Sequence, residues 1–85
     1  MKFSVHINVM PLKELLDPQG KTVEKNLPKI HIEGVSNVRV GKHIQMVVEA
    51  DNESEAKVKV EQACKKVLVN LIVESYDFTI APVPS

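Results

Sequence analysis

The residues of this 85-residue chain that could do chemistry are few: His6, His31 and His43, a single Cys64, and Arg39, the one arginine. A metal centre needs imidazoles, thiolates or carboxylates brought to one point. The three histidines stand on different segments without metal-ligand spacing, so each reads as a surface or strand histidine and no metal site is expected. A nucleophilic cysteine needs its thiolate stabilised, commonly by a histidine. Cys64 lies on an apolar helical stripe with no histidine beside it in sequence, which reads as a buried structural thiol. A phosphate cradle needs a glycine-rich loop, whereas Gly20 stands alone and Arg39 lies on a later segment. No catalytic residue and no cofactor-binding set emerges.

One stretch is nevertheless deliberate. In "LLDPQGKTVE", residues 15–24, the carboxylate of Asp17 suits the free backbone N–H groups of a first helical turn. Pro18 suits the next position, where no N–H is needed. A helix starts here; Val23, Leu27 and Ile30 recur at helical spacing, and Pro28 makes the helix short or kinked.

The other elements follow from periodicity. "KFSVHINVM" alternates, with Phe3, Val5, Ile7 and Val9 on a buried face and Lys2, Ser4, His6 and Asn8 on the other. "VSNVRV" and "HIQMVVEA" alternate in the same way, with Val38 and Val40, then Ile44, Met46 and Val48, in phase. A hairpin at Gly41 is their natural join. Parity disfavours a two-residue turn of Gly41 and Lys42, and a loop of Gly41, Lys42 and His43 or a bulge restores the match. "DNESEAKVKVEQACKKVLVN" is the clearest helix, with Ala56, Val60, Ala63, Val67 and Leu71 as its stripe, widened by Cys64 and Leu68. Asn52 with Glu55 resembles a capping box, and Asn70 suits a left-handed stop. "LIVESYDFTI" is a last strand with Tyr76, Phe78 and Ile80 on one face, before the proline-stiffened "APVPS".

Strand, helix, strand, strand, helix, strand, with right-handed crossovers, predicts an α+β, ferredoxin-like βαββαβ sandwich: a four-stranded antiparallel sheet with two helices on one face. Residues 1–81 make one domain and 82–85 an extended tail. The open sheet face should carry Lys2, Ser4, His6, Asn8, Asn37, Arg39, Gln45, Val47 and Glu49, with Val73, Ser75 and Asp77. That mixed polar surface suits water or a self-complementary contact in an oligomer.

Eleven basic residues balance eleven acidic ones, so no field draws the chain to nucleic acid or an anionic membrane. The aromatics fall in the buried phase, which leaves no stacking platform for bases on the open face. A lone cysteine, the absence of a basic-then-apolar start, and no apolar run approaching about 20 residues point to the cytoplasm.

In their order and spacing, "LDPQGKTVE" and "VRVGKHI" resemble the PurS family, the small subunit of phosphoribosylformylglycinamidine (FGAM) synthase, a ligase. The resemblance runs over residues 2–80: the opening strand, Leu16 to Gly20, Lys21, Val23, Glu24, Val38 to Lys42, "EADNESEA", Cys64 in "ACKKVLVN", and "IVESYDF". It implies a part in purine biosynthesis, in which formylglycinamide ribonucleotide, ATP and glutamine give formylglycinamidine ribonucleotide, ADP, phosphate and glutamate. The partners implied are a glutaminase subunit, PurQ, which releases ammonia, and a synthetase subunit, PurL, which uses ATP and Mg. This chain is then similar to a non-catalytic bridge, a homodimer or dimer of dimers, that helps ammonia pass between them.

On that reading Asp17, Pro18, Gln19 and Gly20 form a rigid exposed corner for a partner, Gln19 offering a donor and an acceptor and Gly20 a close backbone approach. Arg39, Gly41 and Lys42 form a second candidate patch. The competing class is an ACT-like regulatory module with a small molecule at a dimer interface, for which the sequence offers no recognisable pocket.

Overall fold

The computed structural model describes residues 1–84. Its centre is a strand, β1 (Lys2–Pro11), flanked on both sides by antiparallel partners, β2 (Lys42–Glu49) and β3 (Glu74–Pro82), in the order β2-β1-β3. The expected phase of β1 holds: Phe3, Val5, Ile7 and Val9 are all buried. Ile44, Met46 and Val48 from β2 and Tyr76, Phe78 and Ile80 from β3 pack around them, half-buried. Period-two alternation places this set on one face because successive side chains point to opposite sides of the sheet.

The helix α2 (Glu53–Ala63) covers that face. Asn52 begins it as expected, its Oδ1 accepting from the Glu55 N–H at 2.8 Å. Glu55 itself turns along the helix to Lys59. Past Ala63 the helix loosens into a π-turn, Cys64–Leu68, closed by the Val69 N–H donating to the Cys64 carbonyl at 3.0 Å. The buried stripe is therefore Ala56, Val60 and Cys64, continued by half-buried Leu68. Steps of four drift around an ordinary helix, and the wider turn brings Leu68 back toward the sheet. Val67 and Leu71, expected on the stripe, are 80% and 50% exposed. Asn70 is not the left-handed stop: the non-glycine residues with positive φ are His31 and Asn37. Instead its side chain accepts from the Ile72 N–H, and its backbone carbonyl from Val73 and Glu74, turning the chain into β3. That strand starts at Glu74 rather than in "LIV" and runs through Pro82. Val83 N–H still reaches the Lys2 carbonyl, and Ser85 lies outside the described residues.

Two parts of the expected sandwich are absent among the described residues. The segment "VSNVRV" forms no strand, so the sheet has three strands, not four, and there is no hairpin at Gly41. Asn37 and Arg39 accordingly do not lie on the open sheet face. The order β2-β1-β3 is that of the expected sheet with its outermost strand removed, which leaves one edge of β2 without a neighbour. The first helix, α1 (Pro18–Asn26), packs chiefly on the 3₁₀ turn Leu27–Ile30 that Pro28 imposes, and α2 alone is the helix seated on the sheet. The molecule is consequently elongated, 51 × 29 × 15 Å, with a radius of gyration of 16.8 Å. A compact chain of this length would have about 12 Å.

Candidate functional site

The two stretches singled out in the sequence meet, and Asp17 joins them. One oxygen of its carboxylate accepts from the Gly20 N–H at 3.1 Å, the expected cap of α1. The other accepts from the Val40 N–H at 2.7 Å, across 23 residues of chain. Ionised, the carboxylate makes both bonds; protonated, it gives up acceptor capacity. The Val40 bond first, then the Gly20 bond, hold the Asp17 carboxyl below the usual aspartate range; the Gln19 N–H and the charge of Arg39 act in the same direction, against partial desolvation.

This clamp is the physical reason for the missing strand. Val38 and Val40 alternate as a strand should, but Val40 gives its N–H to Asp17 rather than to a ladder. Arg39 spends its guanidinium on the Pro11 carbonyl, as Nη2 donates to that oxygen at the end of β1. Gly20 and Gly41 let the segment lie so close. A Cβ on Gly20 would run into the Val38 carbonyl oxygen and come within 2.8 Å of Asp17 Oδ2. One on Gly41 would strike the Val9 carbonyl oxygen and Met10 Sδ. The close approach that glycine permits is thus satisfied within the chain: Gly20 is buried, and Gly41 carries the chain straight into β2 instead of turning it.

The remaining candidates stay at the surface. Pro18 and Gln19 are exposed at the start of α1, and Lys42 reaches Glu74 of β3 at 3.9 Å. Leu15, Leu16 and Asp17 form a ridge between two open hollows. One, about 580 Å³, runs from Pro11 past Gln19 to Val40 and Glu74. The other, about 410 Å³, is lined on its far side by Lys13, Lys21, Glu24 and Arg39. Leu16 caps the ridge at 75% exposure. In the second hollow, Glu24 Oε2 is shielded from solvent without a hydrogen bond, its nearest cation being Lys21 Nζ at 4.0 Å. The geometry is an exposed apolar ridge whose base is anchored by the Asp17 carboxylate.

Cys64 is buried in the core, where desolvation, then the carboxylate of Glu61, pushes its thiol up from the ordinary value. A raised pKa removes the thiolate that nucleophilic chemistry requires. On the opposite side of the sheet, where His6, Asn8 and Asp77 were expected, the fold sets His43 beside them. Asp77, Asn8 and His43 form one row across β3, β1 and β2, and His6 stands two residues along β1 on the same face. Only strand register, a tertiary property, could have revealed this. Among the described residues no helix is long and apolar enough to cross a membrane.

Comparison with known proteins is consistent over nearly the whole chain. The family model described as PurS, phosphoribosylformylglycinamidine (FGAM) synthase, matches residues 4–82. The PurS subunit of phosphoribosylformylglycinamidine synthase from Thermotoga maritima is 37% identical over 75 residues, spanning 88% of this chain and 92% of that one. Its counterpart from a Synechocystis strain is 34% identical over 76 residues, spanning 89% and 74%. Among solved structures, a chain of PurLQS from Thermotoga maritima superposes with a TM-score of 0.87 at 34% identity, covering 95% of this chain and 99% of that one. PurS from Methanocaldococcus jannaschii gives 0.84 at 26% identity, covering 96% and 99%.

Proposed function

The chain belongs to the PurS family, the small subunit of FGAM synthase in purine biosynthesis, and we propose that it serves that enzyme as a non-catalytic bridge between PurL and PurQ. The PurLQS structure, one of whose chains this fold matches over almost its full length, supports the partnership. The observation that carries the bridging role is the exposed ridge at Leu15–Asp17, anchored at its base by the Asp17 clamp and flanked by two hollows. Holding two large subunits in fixed relation places the source of ammonia beside its consumer, so that the amine need not escape to water. ATP, Mg and glutamine belong to the larger subunits; this chain supplies position.

Within the bridge the candidate residues divide. Gln19 and Pro18 present surface to a partner. Gly20, Arg39 and Gly41 support that surface from beneath, and Lys42 stays at the surface, reaching past β1 to Glu74. The elongated shape, with apolar residues exposed along it, supports a homodimer or dimer of dimers as the working unit, and the cytoplasm is its place of work.

The test is reconstitution of FGAM synthesis from PurL and PurQ of the same organism, with and without this chain. The expected result is that glutamine-dependent synthesis requires it, while ammonia-dependent synthesis by PurL does not. Equal glutamine-dependent rates in its presence and absence overturn the bridging role.

A further inference from the structure

We propose that His6 and His43 together form a surface site for an imidazole-seeking divalent transition-metal ion, of which zinc is the natural probe, on the face of the sheet opposite α2. His6 Nδ1 and His43 Nε2 face each other at 3.2 Å, with the rings 5.3 Å apart between centroids and tilted by 42°. Two Zn–N bonds of ordinary length at a tetrahedral angle place their nitrogens about 3.3 Å apart. The two side chains come from neighbouring strands paired in register, His6 on the central strand β1 and His43 on β2, so their backbones are held at this spacing by the ladder between them.

The second ring nitrogen of His43 adds an independent indication. His43 Nδ1 lies 2.7 Å from Asn8 Oδ1, a carbonyl that can only accept, so Nδ1 carries the proton and Nε2 keeps its lone pair toward His6. Asn8 is held in that sense by donating from Nδ2 to Asp77 Oδ1 at 3.1 Å. An imidazole whose far N–H is tied to a carbonyl, itself backed by a carboxylate, is the outer arrangement that orients metal-ligating histidines. In the metal-free pair one proton, on His6 Nδ1, fills the gap. When His6 carries its proton on the other ring nitrogen instead, both facing nitrogens have lone pairs, and an ion enters with modest rotation of two surface rings. Starting from the neutral pair, the exchange is a tautomer shift within His6.

Two imidazoles are a partial set. Among the described residues no group of three or more histidine, cysteine, aspartate or glutamate side chains could hold a metal ion, so water completes the coordination and the site binds more weakly than a closed four-ligand one. His31, the remaining histidine, lies on the loop after α1 and serves as the internal control.

The experiment is a titration of the full chain with zinc chloride in a non-chelating buffer, followed by histidine ring NMR and by thermal unfolding. The ring signals of His6 and His43 are expected to shift together and saturate while those of His31 stay put, and zinc is expected to raise the unfolding temperature. His6→Gln and His43→Gln should each weaken binding at least tenfold with unchanged circular dichroism. Asn8→Ala, which frees the His43 ring to turn, should weaken it several-fold, and His31→Gln should leave it unchanged. No saturation up to millimolar zinc, or binding that survives both His6→Gln and His43→Gln, overturns the proposal.

Discussion

At the scale of single residues, alanine at position 20 sets two opposed effects against each other. Gly20 is inside α1, where exchanging glycine for alanine ordinarily stabilises a helix by about 1 kcal/mol. Here the added methyl would collide with the Val38 carbonyl, a backbone atom that cannot swing aside. Overpacking of this kind costs about 1–3 kcal/mol, so Gly20→Ala should destabilise the protein in a urea titration. A stabilising result would mean that the 38–40 segment lifts away at little cost. Asp17 makes the same contact titratable. Its folded pKa is depressed because the ionised form receives the Val40 and Gly20 N–H groups, so its contribution is full above the unfolded aspartate value, about 3.9. It is lost as pH falls through the lower folded value. The Val40 amide resonance should follow that titration and release, and Asp17→Asn should abolish the step.

At the scale of elements, α2 shows what periodicity can and cannot specify. Its apolar residues were legible in sequence, and so were the caps at Asn52 and Asp17, because caps and phases depend on neighbours three or four residues away. Val60 and Cys64 are buried as expected, but the choice between Val67 and Leu68 was not legible, since both i+3 and i+4 steps lie near one helix face and only the π-turn decides between them. Val60→Ala should cost about 2 kcal/mol, through lost burial and a residual cavity, whereas Val67→Ala should stay within about 0.5 kcal/mol of wild type. Equal costs in chemical denaturation would restore the wider stripe. The segment 35–40 failed as a strand for the complementary reason: Val38 and Val40 alternate in sequence, but in the fold Arg39 is as half-buried as they are and the Val40 N–H is taken by an aspartate 23 residues away. The same holds for the site. Its residues were named from two local stretches, and what the sequence hid was that Gly20 and Arg39 serve the chain's own backbone before any partner.

At the scale of the whole molecule, the missing strand and a first helix seated off the sheet have one consequence. A single α2 cannot shield everything that a two-helix sandwich would, and α1 with its 3₁₀ turn projects as an arm bearing Ile30 at 64% exposure; elsewhere Ile72, before β3, stands at 83%. In a chain of 85 residues, whose core is small, such surface is costly in water and favours association with another copy or a larger partner. Light scattering on the purified chain should therefore give a mass above the 9.5 kDa of one copy. Ile30→Lys, which places a charge on the arm without touching β1 or α2, should lower that mass while leaving the circular dichroism of the fold intact. A monomeric native protein would show that the arm does not mediate self-association, and the same variant would then be read in the reconstituted synthase. If it lowered glutamine-dependent synthesis but spared ammonia-dependent synthesis, the arm would join the ridge as part of the bridge; if both rates held, the apolar arm would have no role in assembly.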